Sequence, residues 1–89
     1  MQSKDIIIVN KLGLHARAAA KFVQQASRFN SEIHISRDGR KVNGKSIMGI
    51  MMLAASKGTT ITLITEGEDE HEAMQALETL INNRFDEAE

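Results

Sequence analysis

The stretch IHISRDGRKVN, residues 33–43, decides the fold class of this chain. Its isoleucines alternate with polar residues, which is typical of a strand with one buried face. The Asp38-Gly39 pair tolerates positive φ, as a tight hairpin turn requires, and residues 40–43 then form the returning strand. The stretch therefore predicts an antiparallel sheet with one face open to water.

Two more strands are predicted outside this hairpin. The β-branched run at residues 6–9 is ended by Asn10 and Gly13, and the stretch from Thr60 to Thr65 has strand composition. With the hairpin, these runs predict a sheet of four strands.

Three helices are predicted between and after the strands. Residues 16–27 carry apolar side chains at spacings of three and four, which indicates one buried stripe. Ser46 is a favoured N-cap type before a short helical run at residues 47–53, which we expect to stop near Gly58. The last helix has its own apolar stripe, and Asp69 and Glu72 are spaced like a capping box at its start. That stripe comprises Ala73, Ala76, Leu77, Leu80 and Ile81.

The element order is therefore β-α-β-β-α-β-α, and it predicts the α+β class. We expect an open-faced β-sandwich in which three helices cover one face of a four-stranded antiparallel sheet. With 89 residues, the chain has room for one modest core, so residues 1–89 are expected to form a single domain.

Composition excludes several classes of protein. The chain has no cysteine, no long apolar run and no secretory leader pattern, so we expect a cytoplasmic protein without disulfides, a membrane span or a thiolate metal site. Residues 1–60 contain ten basic and three acidic residues, whereas residues 61–89 contain one basic and nine acidic. An acidic cluster at residues 68–72 lies at the start of the last predicted helix, where the helix dipole favours acidic residues. The cluster therefore does not indicate a metal site, and we predict neither a metal nor a cofactor. Nothing in the sequence requires more than a monomer.

His15 is the candidate reactive residue because it immediately precedes the first predicted helix. The first backbone N–H groups of a helix have no partner inside it, and with the helix dipole they favour an anion. Arg17 adds a fixed positive charge close by. A neutral imidazole nitrogen is a competent nucleophile, and phosphoryl transfer needs mainly positioning and neutralisation of charge. The pattern predicts a phosphoryl site at His15, with Ala16 and Arg17 holding the phosphate.

Two segments carry a resemblance to a known family. Leu14-His15-Ala16-Arg17, followed by small residues, closely resembles the phosphorylation-site segment of the histidine-containing phosphocarrier (HPr) proteins of the phosphoenolpyruvate-dependent sugar phosphotransferase system. The segment KSIMGIM, residues 45–51, resembles the regulatory serine motif of that family at the matching distance. The resemblance extends from Ile6 to Leu80.

The resemblance implies a function and partners. His15 would be phosphorylated on Nδ1 by enzyme I, with phosphoenolpyruvate as the source, and would pass the phosphoryl group to IIA proteins. Arg17 would help to hold it. Such a chain is a phosphoryl-transfer carrier and not a stand-alone enzyme. One position departs from the family pattern: Ala18 stands where the family usually has proline, and as a strong helix former it should preserve the helix.

Ser46 has two interpretations. As an N-cap it needs no further explanation, whereas the resemblance implies regulatory phosphorylation of Ser46 by the bifunctional HPr kinase/phosphorylase. The resemblance also implies a docking surface for enzyme I and the IIA proteins. Among the large apolar residues after Ser46, Met52 and Leu53 are better candidates for the core than for this surface. The docking residues would be Lys45, Ile47, Met48 and Met51, near Arg17.

Two other functions compete with the carrier hypothesis. GRKVNGKS, residues 39–46, matches the nucleotide-binding P-loop pattern, although a hairpin turn and a returning strand are predicted there. The basic first part of the chain raises the alternative of a nucleic-acid-binding module. That alternative lacks aromatic support, because the chain has three phenylalanines and neither tyrosine nor tryptophan.

Overall fold

The computed structural model describes residues 1–89 and shows a four-stranded antiparallel sheet with three helices. The strands pair in the order β1-β4-β2-β3, so β4 lies between β1 and β2. The strands are β1 (Gln2–Ile7), β2 (Glu32–Arg37), β3 (Arg40–Asn43) and β4 (Thr60–Glu66), and the helices are α1 (Ala16–Ala26), α2 (Ile47–Met52) and α3 (Glu70–Asn82), followed by a 3-10 turn at Arg84–Asp86. The predicted open-faced α+β sandwich is confirmed.

The predicted hairpin forms at its predicted turn. Asp38 and Gly39 both have positive φ, 50° and 82°, and they connect β2 to β3. Ile35 pairs with Val42 across this hairpin and with Leu63 on the other side of β2. Alternate residues of β2 and β4 are buried, so one face of the sheet carries the core and the other meets water.

The first strand differs from its prediction in position. β1 begins at Gln2, four residues before the apolar run, because Ser3, Lys4 and Asp5 pair with β4 despite being exposed. It ends at Ile7, and fully buried Ile8 continues the contact through hydrogen bonds with Thr59 and Gly58. Backbone pairing with a neighbouring strand, rather than hydrophobicity, sets this strand's start.

The core lies between the sheet and the helices. The stripe of α1 is buried as predicted at Ala19, Phe22 and Ala26, with Ala18 also buried and Val23 half-buried. In α3 the fully or nearly buried side chains are Ala73, Met74, Leu77 and Ile81, whereas the predicted Ala76 and Leu80 are only half-buried.

The short helix α2 buries fewer residues than predicted. Only Ile50 of α2 is fully buried, and Leu53 just after it is buried as expected. The prediction that Met52 belongs to the core is wrong, because its side chain is 62% exposed. Ile50 and Leu53 are three residues apart and occupy the inward face of the turn, which directs Met52 outward. The chain leaves the helix at Ala54, whose φ is +50°, before it reaches Gly58.

The predicted capping box of α3 is not formed. Asp69 makes no side-chain hydrogen bond to its own helix. Its carboxylate instead accepts hydrogen bonds from the backbone N–H groups of Asn30 and Ser31, at 2.8 and 2.9 Å, and from the Ser31 hydroxyl. Asp69 therefore joins the start of α3 to the loop before β2.

No helix combines the length and the apolar character that crossing a membrane would require.

Candidate functional site

His15 is the N-cap of α1. Its backbone is extended, with φ −80° and ψ −179°, and its carbonyl oxygen accepts the first helical hydrogen bond, from the Ala19 amide at 2.8 Å. The amides of Ala16 and Ala18 precede that bond and have no acceptor within the helix. The helix therefore presents free N–H donors beside the imidazole, as the sequence predicted.

Both ring nitrogens of His15 are engaged. Nδ1 accepts a 3.3 Å hydrogen bond from the Arg17 amide, and Nε2 lies 2.6 Å from Oε2 of Glu87. An accepting Nδ1 carries no proton, and a nitrogen beside a carboxylate donates one. These contacts fit the tautomer in which Nε2 holds the proton and Nδ1 carries none.

Arg17 lies on the exposed side of the first turn of α1 and lines the same depression as His15. Its guanidinium has no carboxylate within ion-pair distance. Because it is not engaged by the fold, it is available to an incoming anion. Ala18, at the position that differs from the family pattern, is fully buried, and the helix still begins at Ala16.

Sequence reasoning missed the C-terminal segment as part of this site. The depression around His15 is also lined by residues from both ends of the chain, namely Lys11, Leu12, Glu87, Ala88 and Glu89. Glu87 is 72 residues from His15 in sequence, and its acidic neighbourhood is typical of a solvated tail. No local pattern identifies it, because the contact depends on how α3 packs.

The pKa of Glu87 lies below its usual range. Burial on its own would raise the pKa, but hydrogen bonds with Asn10 and His15, together with the positive charge of Arg17 and that of His15 in its protonated form, outweigh that effect. Glu87 is therefore ionised at neutral pH and presents a full negative charge to the imidazole ring.

Ser46 lies at the start of α2 and not in the His15 depression. Its backbone is extended, and its Oγ accepts a 3.0 Å hydrogen bond from the Gly49 amide, which confirms the predicted N-cap. Its neighbour Lys45 is directed elsewhere, because its ammonium donates to the Phe29 carbonyl at 2.7 Å. The two predicted sites are thus at the N-termini of two different helices.

The residues of the predicted docking surface are mostly exposed. Ile47, Met48 and Met51 are 42%, 76% and 43% exposed. Met52 is exposed as well, so α2 presents four large apolar side chains to solvent. None of these side chains lines the depression at His15.

The P-loop pattern at residues 39–46 is distributed over a hairpin turn, the strand β3 and the turn before α2. A P-loop requires an open loop between a buried strand and a helix, so these residues do not form one. Of the three phenylalanines, Phe22 and Phe85 are fully buried and Phe29 packs against the core, which leaves no exposed ring for base stacking.

The fold and this site together define a small α+β protein with a histidine at a helix start and an arginine in the same depression. A family profile described as the PTS HPr component phosphorylation site matches residues 2–83. The phosphocarrier proteins HPr of Cupriavidus necator and of Neisseria meningitidis serogroup A are each 60% identical over 89 residues, covering the whole of this chain and the whole of each relative. The crystal structure of HPr-C-His from Thermoanaerobacter tengcongensis has a TM-score of 0.96 and 53% identity, with both chains fully covered. The chain belongs to the HPr family of phosphocarrier proteins of the phosphotransferase system.

Proposed function

We propose that this chain accepts a phosphoryl group on Nδ1 of His15 from phosphorylated enzyme I and passes it to IIA proteins. The observation that carries the proposal is the pair of contacts at the imidazole, which places an unprotonated Nδ1 at the mouth of α1. Its lone pair accepts only the long 3.3 Å hydrogen bond from the Arg17 amide, which the bond to phosphorus would replace. The family supports it independently, since its profile describes a phosphorylation site and spans His15.

The first turn of α1 supplies what the transfer needs. The Nδ1–P bond forms as the bond between phosphorus and the donor's leaving atom breaks, and attack by a nucleophile of the acceptor later reverses the process. The amide of Ala16, which has no acceptor within the helix, and the guanidinium of Arg17, which lines the His15 depression, are the donors that we assign to the phosphoryl oxygens. Neutralisation of charge and fixed position are the main demands of phosphoryl transfer, so no further acid or base is required.

Phosphorylation by enzyme I and phosphoenolpyruvate tests the proposal. We expect one phosphoryl group per chain, labile to acid and to hydroxylamine, as a phosphohistidine is and a phosphoserine is not. His15→Ala should abolish it, whereas the control His71→Ala, which alters an exposed histidine on α3, should not. Undiminished phosphorylation of His15→Ala would refute the assignment.

We further propose that Ser46 is a regulatory phosphorylation site for HPr kinase/phosphorylase. The half-buried hydroxyl uses its oxygen to cap α2, and its proton is not needed for that bond. A phosphate there adds about −1.5 to −2 charges next to the exposed apolar side chains of α2, which would alter docking without unfolding the helix. Treatment with the kinase and ATP, followed by mapping of the modified residue, tests it. Modification of Ser46→Ala to the same extent would refute it.

The exposed side chains Ile47, Met48 and Met51 support a docking role for α2. Methionine adapts to differently shaped surfaces, which suits a carrier that must meet a donor and several acceptors in turn. We propose that enzyme I and the IIA proteins contact this surface together with Arg17 and Lys45, and that the carrier works as a cytoplasmic monomer. Light scattering of the purified chain at micromolar concentration should give a mass of one chain, 9.8 kDa.

A further inference from the structure

The segment after α3 is built to return to His15. Arg84, Phe85 and Asp86 have φ of 58°, 53° and 60°, a run of left-handed residues that reverses the chain direction. Non-glycine residues adopt this conformation only when surrounding contacts hold them there. Phe85 is fully buried, and its carbonyl accepts a 2.9 Å hydrogen bond from the Lys21 ammonium. The turn is therefore anchored to the core and to α1.

Glu87 follows this anchored turn, and both oxygens of its carboxylate are used. Oε2 contacts Nε2 of His15 at 2.6 Å, and Oε1 accepts a 3.0 Å hydrogen bond from the side-chain amide of Asn10. The Glu87 side chain is 12% exposed, and that of His15 is 28% exposed. The carboxylate is thus mostly shielded from water and the ring partly, and charge-assisted hydrogen bonds are stronger where there is less water.

Asn10 is fully buried and fixes the position of that carboxylate. Its amide nitrogen donates to Glu87 and also to the carbonyl of Gly13, at 2.9 Å, while its Oδ1 accepts no hydrogen bond. Reversing the amide would set its oxygen against two acceptors, so the observed orientation is the stable one. One side chain therefore joins Glu87 to the loop that delivers His15.

We propose that Glu87, held by Asn10, is a positioning residue for His15. Its carboxylate retains the ring proton on Nε2, keeps the Nδ1 lone pair at the start of α1, and stabilises the positive charge that the ring acquires on phosphorylation. Glu87 lies outside residues 2–83, the part of the chain that the family profile matches. The inference rests on the proposed function of His15 as phosphoryl acceptor.

The chemistry balances without a proton leaving the site. The Nδ1–P bond forms while the bond from phosphorus to the donor protein breaks, and the electron pair of that bond leaves with the donor. The ring keeps its Nε2 proton and becomes positively charged, and the carboxylate beside it supplies the compensating charge. When the phosphoryl group leaves for an acceptor, the electron pair returns to Nδ1 and the ring is neutral again.

Steady-state kinetics of phosphorylation by enzyme I and phosphoenolpyruvate test this role. We expect Glu87→Ala to lower kcat about tenfold with KM for this chain changed by less than about twofold, because an orienting bond is lost while the docking surface is intact. Glu87→Gln should also lower kcat. When the oxygen of the new side-chain amide accepts the hydrogen bond from Asn10, its NH2 group faces Nε2 of His15 and cannot accept the ring proton. The matched control is Glu78→Gln on α3, which removes the ion pair between Glu78 and Lys4 and leaves His15 unchanged.

Nitrogen NMR of the His15 ring adds a readout that a purely structural role would not move. In the wild-type chain the Nε2 proton should be observed, shifted downfield and slow to exchange, and Nδ1 should be unprotonated. Both Glu87 variants should lose that proton signal while their amide spectra stay those of a folded protein, and Glu78→Gln should keep it.

Three results would overturn the proposal: wild-type kcat in Glu87→Gln, a loss confined to KM, or a bonded Nε2 proton that survives in Glu87→Ala. Failure of the proposed function gives a different result, because the wild-type chain itself would then remain unphosphorylated at His15.

Discussion

The carbonyl oxygen of Ala55 accepts a 2.9 Å hydrogen bond from the Leu14 amide, and in doing so it closes the space beside Gly13. A Cβ on Gly13 would lie 2.4 Å from that oxygen and 2.8 Å from Cα of Ser56. The loop before His15 thus lies directly on the segment that leaves α2. The position of the imidazole depends on this backbone contact.

Gly13→Ala should therefore destabilise the fold by about 3 kcal/mol, from the strain of its φ of +68° and from the displaced backbone. Gly39→Ala is the matched control, since Gly39 also has positive φ but has nothing within 4 Å of the added Cβ. It should cost only about 1 kcal/mol. Urea unfolding of both variants measures the difference, and equal losses would show that the contact with Ala55 is not tight.

Arg17→Ala should slow phosphorylation of His15 about tenfold to a hundredfold, because a fixed charge that meets the phosphoryl oxygens is removed. Arg17→Lys should recover part of the rate, since it restores charge without the planar guanidinium. Arg28→Ala, an exposed arginine after the end of α1, provides the control. An equal effect of the two alanine variants in the enzyme I assay would indicate a general electrostatic attraction instead of a local role.

Ser46→Ala should lower the free energy of unfolding by about 1 kcal/mol, the usual value of an N-cap hydrogen bond. Ser46→Asp should retain most of the stability, because a carboxylate also accepts from the Gly49 amide. Ser56→Ala removes only an exposed hydroxyl contact of 3.4 Å with Thr59 and should be nearly neutral. Thermal unfolding of the three variants measures their order of stability. An unchanged stability in Ser46→Ala would contradict the capping role and leave regulation as the sole reason for this serine.

Stability should fall in acid partly through Asp69. Hydrogen bonds from the Ser31 hydroxyl and from the Asn30 and Ser31 amides lower the pKa of Asp69, outweighing burial, which acts in the opposite direction. A carboxyl whose folded pKa is below its unfolded pKa stabilises the fold above the unfolded value, and that contribution is lost as the pH falls through the folded pKa.

Asp69→Asn should accordingly flatten the dependence of unfolding free energy on pH below about pH 5. The control is Asp38→Asn at the exposed hairpin turn, which removes a carboxylate without touching the contacts of Asp69. Chemical unfolding across this range provides the measurement. The same slope in Asp69→Asn and the wild-type chain would contradict the assignment.

Met48→Gln should raise KM for phosphorylation by enzyme I about tenfold and leave kcat within about twofold, because an apolar contact with the partner is lost and His15 is unaffected. The control is Ile7→Gln, an apolar side chain that is 54% exposed at the end of the edge strand β1. Equal values of KM in the two variants would mean that α2 is not the docking surface.

Local patterns predicted much of the fold. The Asp38-Gly39 turn, the helix start after His15, the N-cap Ser46 and the stripe of α1 are decided within a few residues of sequence, so propensity and periodicity identify them. One prediction failed because a distant partner competes for the side chain. Asp69 has the spacing of a capping box but binds the loop at Ser31, since two amides and a hydroxyl there offer more hydrogen bonds than its own helix.

By itself, the sequence determined the class of fold, the place of His15 at a helix start and the charge of Arg17 beside it, because each depends on neighbours along the chain. Only the tertiary structure decided the strand order, the exposure of Met52 and the approach of Glu87 to the imidazole. The packing of α3 and the burial of Phe85 bring together residues 72 positions apart. Such contacts follow from sharing one core, and no local pattern records which distant residues that core brings together.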